Sequence, residues 1–567
     1  MARVEEHEVD VVVVGSGAGA LTAAVRAHDH GLKVLVVEKT ALFGGTSAVS
    51  GGGLWIPNND HIARDGGQDS EQEALAYLRA ATRGETDEAR LLAYVRGAPR
   101  MLRYVEERTP VRLRAVPFYA DYYQDLPGAK TGFRTLDPEA FDGRQLGDEL
   151  LRMRETSPTM LIFGRMGMTT FEAVTLLARL PGWRKLAARI GLRYAGDLGW
   201  RLRSKRDRRL TMGSALVGGL RLAMMDRGID LWLEAPMRRL LTDDAGVSGI
   251  VVERGGVEHA VRARRGVVLA AGGFERNQQM REQYLPQPTR AEWTAAPPCN
   301  TGDAILAGQS IGAGLALMEH AWWTPTVFVP GEEKQRGLFS ERALPGCVVV
   351  NRLGRRFANE AQDYLDFVDA MYRDHRHTGA NLPAYMVFDA RFRHKYNAGP
   401  LVAGSVLSDA RLPADWLGRA YWRADTLGAL AAQIGVDPQG LQESVRRIGE
   451  YARSGVDVEF GKGGNAYDRI YGDPSVQPNP CLAPIVQAPF YALKLDAGEI
   501  GTKGGLRTDE HARVLDSAGR AIRGLYAAGN TSASITGPSY PGAGATLGPA
   551  MTFGFLAADH LAGVHHV

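Results

Sequence analysis

The sequence predicts an α/β fold: a discontinuous Rossmann-like domain that binds a dinucleotide, with a second, α+β domain inserted in it. Two observations lead to this prediction. A run of valines, Val11–Val14, breaks into the glycine-rich turn Gly15–Ala20 and continues as an alanine- and leucine-rich helix. Strand and glycine patterning of the same kind returns at Gly524–Asn530, after a stretch rich in Pro, Trp and Tyr over about residues 285–485.

The first β-α-β unit predicts a dinucleotide site. Its second strand, Val34–Val37, ends on Glu38, roughly twenty residues beyond the glycine turn. Gly15 permits the tight turn, and Gly17 lets the backbone approach a pyrophosphate that the unpaired amides of the helix start would face. Glu38 can accept hydrogen bonds from a ribose diol. This arrangement favours a nucleotide site over a purely structural glycine turn.

Two other glycine-rich segments favour FAD over NAD. The loop Gly44–Gly53 follows the second strand, and Gly524–Asn530 adds a strand that is distant in sequence. A ribityl chain and an isoalloxazine ring would use the extra backbone contacts that such segments supply. Nothing in the sequence marks a covalent attachment, so we expect the FAD to be bound non-covalently.

The bulk composition excludes several classes of protein. The 567 residues exceed what one hydrophobic core usually organises, and a formal net charge of +3 argues against a globally basic nucleic-acid-binding protein. Cys299, Cys347 and Cys481 are far apart and include no CxxC pair, and the histidines have no metal-like spacing, so we expect neither a disulfide framework nor a metal site. The acidic N-terminus runs directly into a strand, and no apolar run has the length of a membrane span. We therefore expect a cytoplasmic protein.

We expect three segments along the chain. Residues 1–285 form the first part of the FAD-binding domain, residues 286–485 form the catalytic domain that binds the substrate, and residues 486–567 form the second part of the FAD-binding domain. Helices are predicted from about residue 212 to 227 and from about 547 to 561.

Residues 150–210 form a basic excursion within the first segment. Over residues 179–209 arginines and lysines are interleaved with leucines and tryptophans. Such a face can lie on anionic lipid. In soluble enzymes it is more often a surface helix whose leucines pack on the body while its arginines face water, and we favour that interpretation. A peripheral membrane contact through residues 179–209 is the alternative.

Three of the nineteen tyrosines have neighbourhoods that suggest chemistry. Tyr540 lies just ahead of the turn Pro541–Gly544, and a phenol and a backbone amide four residues apart can hold and polarise a ketone oxygen. Tyr122 lies in a polar, turn-rich segment, and Tyr364 begins a predicted helix. Most tyrosines pack in the interior, so these patterns alone do not choose among them.

Short segments, collinear over nearly the whole chain, carry a resemblance to a known family. They are Glu8–Gly19, Glu38–Ser47, Leu54–Asn58, Asp121–Tyr123, Asn300–Asp303, Asn359–Tyr364, Gly501–Gly505, Gly524–Thr531 and Tyr540–Gly544. In these segments the chain resembles the FAD-dependent 3-ketosteroid Δ1-dehydrogenases. That family introduces a C1–C2 double bond into ring A of 3-ketosteroids during steroid or sterol breakdown.

The resemblance implies a role for each matching position. The Tyr540 hydroxyl and the Gly544 backbone N–H would bind the C3 carbonyl oxygen. Tyr364 would remove a proton from C2, Tyr122 would hydrogen-bond to Tyr364 and ease its deprotonation, and the flavin N5 would take the hydride from C1. Asp363 stands where many relatives are expected to have proline, and a carboxylate beside the base would alter its pKa.

The FAD contacts that we assign come from the glycine turn, the second strand, the loop after it and three later segments. They are Gly15, Ser16, Gly17, Ala18, Gly19, Ala20, Glu38, Lys39, Gly44, Gly45, Thr46, Ser47, Gly51, Gly52, Gly53, Gly272, Gly273, Asn300, Asp303, Gly529 and Asn530.

A flat apolar substrate also needs an apolar slot. Trp322, Trp323, Pro325, Phe328 and Phe118 would line it, although each ring taken singly is more often ordinary core. The implied partners are a 3-ketosteroid and an external electron acceptor, quinone-like or a dye.

Three alternatives stay open. A 3-ketosteroid Δ4-(5α)-dehydrogenase would share the flavin domain and the carbonyl clamp. A fumarate-reductase-like flavoprotein would need arginine and histidine groups that grip a dicarboxylate. A non-catalytic flavoprotein recruited to membranes through the basic excursion belongs to another class altogether.

Overall fold

The computed structural model describes residues 5–177 and 181–564, and it confirms the predicted α/β architecture. The larger sheet has eight strands. Its centre is parallel, with Val11–Val14 fully paired between Val34–Val37 and the second half of Val257–Leu269. These central strands are covered on both faces, which explains their unbroken runs of β-branched residues. The sheet comprises, in order, Asp230–Trp232, Val34–Val37, Glu5–Val14, Val257–Leu269, Gly246–Arg254 and Met237–Asp243, with Ala521–Ala527 beside Val257–Leu269 and Arg513–Leu515 at its edge.

A helix on this sheet packs against two further helices, and the sequence predicted all three. They are Ala18–Asp29, Met212–Asp226 and Leu547–Leu561. Two glycines let the first and last of these helices approach closely. A Cβ on Gly19 would lie 2.6 Å from the Ala550 oxygen, and a Cβ on Gly554 would lie 2.3 Å from the Gly19 oxygen. The start of the first helix is thereby fixed against the C-terminal part of the chain.

A second, antiparallel sheet of six strands forms the core of the inserted region. Its long strand, Phe490–Thr502, pairs with Ala321–Val327 on one side and with Ala384–Phe388 on the other. We therefore propose that the chain returns to the first domain after Thr502, rather than at residue 486. The remaining strands of this sheet are Arg336–Gly337, Cys347–Val350 and Trp422–Ala424.

Shorter elements complete the fold. The short strands are Leu54–Trp55, Leu113–Ala115 and Thr135–Pro138 in one sheet, and the pairs Phe141–Asp142 with Arg209–Leu210, Leu161–Ile162 with Met166–Gly167, and Leu315–Ala316 with Gly505–Leu506. The other α-helices are Gly45–Val49, Asp60–Arg64, Glu71–Thr82, Glu88–Arg108, Thr170–Leu177, Trp183–Gly196, Leu198–Arg201, Gln278–Tyr284, Asp303–Ser310, Tyr364–Thr378, Ala390–Lys395, Leu427–Ile434, Pro438–Ser454 and Ala466–Ile470. Among the described residues, no helix combines the length and the apolar character needed to cross a bilayer.

Candidate active site

A cavity of about 1760 Å³ contacts both the glycine turn after the first strand and the three tyrosines singled out from the sequence. Segments that are hundreds of residues apart in sequence thus meet in one site. Of the predicted site residues, the cavity wall contains Gly15, Ser16, Gly17, Ala18, Gly19, Ala20, Glu38, Lys39, Gly45, Thr46, Ser47, Gly51, Gly52, Gly53, Gly272, Asn300, Asp303, Gly529, Asn530, Tyr122, Tyr364, Tyr540 and Gly544.

Gly44 and Gly273, which we also assign to the cofactor, are not part of this wall. Gly44 has a positive φ of 104° and donates its N–H to the Ser16 hydroxyl oxygen at 3.0 Å, so it shapes the loop. A Cβ on Gly273 would lie 2.1 Å from Thr502 Oγ1, at the end of the strand Phe490–Thr502. Close packing against that strand therefore requires glycine at position 273.

The glycine turn and the first residues of the following helix line the cavity. Gly15 has a φ of 107°, and a Cβ there would lie 2.3 Å from the Ala270 oxygen. Gly17 caps the helix Ala18–Asp29 in an extended conformation without a side-chain cap. Since the first amides of a helix carry partial positive charge, this end suits a phosphate.

Acidic and basic side chains are fixed beside the turn. The Glu38 carboxylate accepts hydrogen bonds from the Ser16 hydroxyl at 2.6 Å and from the Thr40 N–H at 2.9 Å. Lys39 forms an ion pair with Asp303 at 2.7 Å. The donor set, with helix amides next to an oriented carboxylate, fits the pyrophosphate and ribose of a dinucleotide.

The three tyrosines are brought into mutual contact at another part of the same cavity. The hydroxyl oxygens of Tyr122 and Tyr364 lie 3.1 Å apart. The Tyr540 ring centroid lies 5.2 Å from that of Tyr122 and 5.2 Å from that of Tyr364. All three side chains are buried. The cavity wall therefore contains three neighbouring phenols.

Local structure explains where Tyr364 and Tyr122 lie. Tyr364 is the first residue of the helix Tyr364–Thr378, which Asp363 caps by accepting the N–H groups of Leu365 at 3.1 Å and Asp366 at 3.0 Å. Tyr122 donates its backbone N–H to the Pro541 oxygen at 3.0 Å. The segment of Tyr122 is therefore joined directly to the turn that carries Tyr540.

The turn after Tyr540 is held from several sides. The Tyr540 N–H donates to the Tyr123 hydroxyl oxygen at 2.9 Å, and the Tyr77 hydroxyl donates to the Pro541 oxygen at 2.6 Å. Gly544 has a φ of 94°, and a Cβ there would lie 2.4 Å from the Gly53 oxygen. Only glycine fits this approach, so the Gly544 amide has a fixed position in the cavity wall.

Burial sets the protonation of these phenols. It raises the pKa of Tyr364 and of Tyr122 well above the ordinary value of 10.0, although the hydrogen bond from Tyr122 acts in the opposite direction on the pKa of Tyr364. Burial raises the pKa of Tyr540 to about 12. Tyr540 is thus a neutral hydrogen-bond donor at physiological pH, as a carbonyl clamp requires.

The pKa of Asp363, the residue before Tyr364, is also shifted. Burial, and then the neighbouring carboxylate of Asp366, raise the pKa of Asp363 well above its ordinary value of 3.8. Both effects favour the protonated form of the carboxyl group next to Tyr364. The same carboxyl group caps the helix that begins with the base.

Four of the five residues predicted for the apolar slot are elsewhere, and this part of the prediction is wrong. Phe118 lines the cavity, whereas Trp322, Trp323 and Pro325 lie in the buried strand Ala321–Val327 and Phe328 follows that strand at the surface. Other cavity residues carried no signal in the sequence, except that Tyr119 lies three positions before Tyr122. The missed aromatic residues include Tyr119, Phe339, Tyr396, Trp416 and Tyr471.

Residues of the basic excursion form part of the apolar cavity wall, which the sequence did not predict. Met160, Ile162, Val174 and Trp183 are among its residues that line the cavity. The expectation that its leucines pack on the body is wrong for three of them, because Leu192, Leu198 and Leu202 are 74%, 72% and 91% exposed. Arg179 and Leu180 lie outside the described residues.

Three potential metal ligands meet away from the cavity, a grouping that histidine spacing did not predict. Glu5 and His7, on the first strand, lie beside His259 on the neighbouring strand. His7 Nε2 and His259 Nδ1 lie 3.1 Å apart, and Glu5 lies 3.4 Å from His259.

Comparison with known proteins gives the site a chemical context. Residues 10–547 match the family described as FAD binding domain. A 3-oxosteroid 1-dehydrogenase of Comamonas testosteroni is 42% identical over 98% of this chain and 97% of its own length. A 4-oxocyclohexanecarboxylate 2-dehydrogenase of Sinomonas cyclohexanicum is 39% identical over 98% of this chain and 93% of its own length.

A solved structure is similar over nearly the entire chain. The 3-ketosteroid Δ1-dehydrogenase of Sterolibacterium denitrificans, crystallised in complex with 1,4-androstadiene-3,17-dione, has 54% identity and a TM-score of 0.96. The alignment covers 99% of this chain and 100% of that one.

Proposed function

The chain belongs to the 3-oxosteroid 1-dehydrogenase family of FAD-dependent enzymes, and we propose how its own residues carry out that reaction. It is an oxidoreductase that acts on 3-ketosteroids and uses FAD. The observation that carries our proposal is the contact of Tyr122, Tyr364 and Tyr540 in the wall of a cavity that also contains the glycine turn.

The glycine turn and its neighbours fit FAD. The positive φ of Gly15 and the lack of a side chain at Gly17 leave the backbone open where a pyrophosphate would lie against the helix start. Glu38 would hold the ribose, and the glycines of Gly51–Gly53 and the Gly529–Asn530 segment would contact the rest of the cofactor. When bound, FAD supplies the acceptor for the hydride that leaves C1.

The carbonyl clamp makes the C2 proton acidic. We assign the C3 oxygen to the Tyr540 hydroxyl and the Gly544 N–H, which would stabilise negative charge as an enolate develops on that oxygen. One such donor contributes roughly 3–4 kcal/mol, and two contribute more without strict additivity. The neutral Tyr540 hydroxyl suits this role because it keeps its proton for donation.

Tyr364 is the group that we assign to the C2 proton. Ionising a free tyrosine at neutral pH costs about 4 kcal/mol, and burial increases the cost here. A hydrogen bond donated by Tyr122 to the Tyr364 oxygen offsets part of it, because the phenolate is the better acceptor. Proton removal and carbonyl stabilisation thus support each other.

Product identification tests this function. A saturated 5α-3-ketosteroid should yield the C1–C2 alkene, while a C4–C5 alkene would assign the chain to Δ4-(5α) chemistry. The apolar cavity wall favours a steroid over the small charged ring of 4-oxocyclohexanecarboxylate, which should reduce the flavin poorly. An external acceptor, quinone-like in the cell or a dye in the assay, would complete the turnover.

Tyr540→Phe should weaken both steroid binding and the rate of flavin reduction. The loss of one clamp donor predicts a fall of about 10²–10³ in the rate, with KM also raised, since the oxygen is bound in both the ground state and the transition state. Anaerobic stopped-flow reduction by 4-androstene-3,17-dione measures both quantities. Unchanged kinetics in this variant would contradict the clamp.

Flavin reduction should accelerate as the pH rises from roughly 7 to 9. The base must lose a proton before it can accept one, and burial holds the pKa of Tyr364 above that range, so each rise in pH increases the reactive fraction. Tyr540, with a pKa of about 12, stays protonated throughout. Reduction rates at saturating steroid across this range provide the measurement, and a rate that falls with pH would oppose the assignment.

We further propose that the basic excursion contacts anionic lipid. The exposed Leu192 lies on the helix Trp183–Gly196, which also carries the exposed cations Arg184 and Lys185. Two more exposed leucines, Leu198 and Leu202, lie at the two ends of the next helix. Exposed leucines near cations insert at a lipid surface, and each nearby cation contributes about 1 kcal/mol on an anionic membrane. Other residues of the same excursion line the cavity, so an apolar steroid would pass between lipid and site without crossing water.

A vesicle experiment tests the lipid contact. The variant Leu192→Ser/Leu198→Ser/Leu202→Ser should bind vesicles containing phosphatidylglycerol about tenfold less than the wild type, because three apolar anchors are removed. The matched control is Val456→Ser/Val458→Ser, which removes apolar side chains that are 57% and 79% exposed elsewhere. Equal flotation of both variants and the wild type would refute the contact.

A further inference from the structure

One fully buried lysine lies behind the carbonyl clamp. Lys503 follows the long strand Phe490–Thr502 and is 0% exposed. Its Nζ donates to Thr536 Oγ1 at 2.9 Å and to the Ser539 backbone oxygen, and it lies 3.8 Å from the centroid of the Trp322 ring. In the part of the chain that the structure describes, Lys503 forms no ion pair.

The burial of this amine is unfavourable in free energy. Transfer of an ammonium group from water to the interior costs several kcal/mol, and burial accordingly lowers the pKa of Lys503 well below its ordinary value. The carboxylates of Asp369 and Asp366 act in the opposite direction from a distance. An apolar side chain would avoid this cost, so stability alone does not explain a lysine here.

The groups that the Lys503 amine contacts are all linked to Tyr540. Ser539, whose oxygen accepts the amine hydrogen bond, is the residue before Tyr540. Thr536 and Ser539 also bond to each other, with Thr536 Oγ1 donating to the Ser539 oxygen at 3.0 Å, so the amine closes the turn that ends at Tyr540.

Trp322 reaches Tyr540 from the other side. The two ring centroids are 4.7 Å apart in an edge-on arrangement, and Trp322 Nε1 donates to Asn530 Oδ1 at 3.2 Å. Both Asn530 and Tyr540 line the cavity. The amine over the Trp322 ring therefore fixes a ring that in turn fixes the Tyr540 ring.

We propose that Lys503 is a positioning residue for the dehydrogenation, which holds the Tyr540 hydroxyl in place by binding the Ser539 oxygen and the face of Trp322. The proposal rests on the proposed function, because the position of that hydroxyl matters only if it binds the C3 oxygen. Lys503 touches neither the steroid nor the cofactor in this account. It acts through Tyr540.

A double-mutant cycle tests the coupling. Lys503→Met removes the amine and its N–H donors at similar volume, and we expect it to slow flavin reduction by 4-androstene-3,17-dione about tenfold or more, with FAD content and melting temperature close to wild type. In the Tyr540→Phe background the same change should slow reduction less than about threefold, because the hydroxyl that it positions is already gone. Lys503→Gln keeps an N–H donor and should recover part of the rate.

A matched control separates positioning from general loss of a buried lysine. Lys462 has a side chain that is 0% exposed, and its amine contacts Cys347 and Glu360 instead. Lys462→Met should change the rate of flavin reduction by the same factor in the wild type and in the Tyr540→Phe background. Should Lys503→Met fail to fold, Lys503→Gln in both backgrounds gives the same cycle.

The outcomes are distinct. A wild-type enzyme that no 3-ketosteroid reduces would overturn the proposed function and this proposal with it. A wild type that is reduced normally, with Lys503→Met equal to it or with fully multiplicative effects of Lys503→Met and Tyr540→Phe, would overturn the role of Lys503 alone.

Discussion

Tyr364→Phe should abolish turnover while the enzyme keeps its FAD. The change removes one oxygen from a buried ring, and that oxygen is the group that we assign to the C2 proton. A general base contributes about 10²–10⁴ to a rate. In our assignment the Tyr122 hydroxyl, 3.1 Å from that of Tyr364, donates to the base and does not contact C2 itself. Anaerobic stopped-flow reduction of the flavin reports the step directly.

The control for this variant lies on the same helix. Tyr372 is also buried, and its hydroxyl donates to the Pro288 oxygen at 3.2 Å, away from the cavity. Tyr372→Phe should reduce the flavin at nearly the wild-type rate. Near-normal reduction by Tyr364→Phe would refute the role of the base, whereas loss of FAD from that variant would show that the phenol supports the fold instead.

Gly15→Ala should yield a protein that contains little FAD. The residue has a φ of 107°, which alanine rarely adopts, and the new Cβ would lie 2.3 Å from the oxygen of Ala270, just after the neighbouring strand. The turn must open or shift, and the helix amides that face the pyrophosphate shift with it. We expect flavin content per protein, read from absorbance near 450 nm, to fall roughly tenfold or more.

A second glycine of the same unit provides the comparison. Gly31 also has a positive φ, of 81°, but a Cβ there meets no atom within 4 Å. Gly31→Ala should cost about 1 kcal/mol in unfolding free energy and leave the flavin content unchanged. Equal flavin content in Gly15→Ala and Gly31→Ala would contradict the placement of the cofactor at this turn.

The first domain was predictable because its signals are local. A buried valine run, a glycine turn and a helix lie next to one another in sequence, and the helix Leu547–Leu561 has the predicted bounds. The tyrosine cluster is different, because Tyr122 and Tyr364 are 242 positions apart. No pattern within either segment fixes that contact, and only the resemblance to a family selected these phenols among nineteen tyrosines.

The apolar wall was misjudged for a physical reason. Aromatic residues in the strand Ala321–Val327 looked suitable for a ligand slot, but both faces of that strand are covered by protein. The amphipathic excursion looked like plain surface, because its periodicity identifies an apolar face without identifying what covers it. In the structure one part of that face lines the cavity, and three leucines are exposed.

A crystal structure of the FAD-loaded enzyme with 1,4-androstadiene-3,17-dione tests the central claim most directly. We predict the steroid C3 oxygen at hydrogen-bonding distance, about 2.7–3.1 Å, from both the Tyr540 hydroxyl and the Gly544 nitrogen, with the Tyr364 hydroxyl facing C2. A steroid bound with its C3 oxygen away from Tyr540, or with ring A out of reach of Tyr364, would contradict the account.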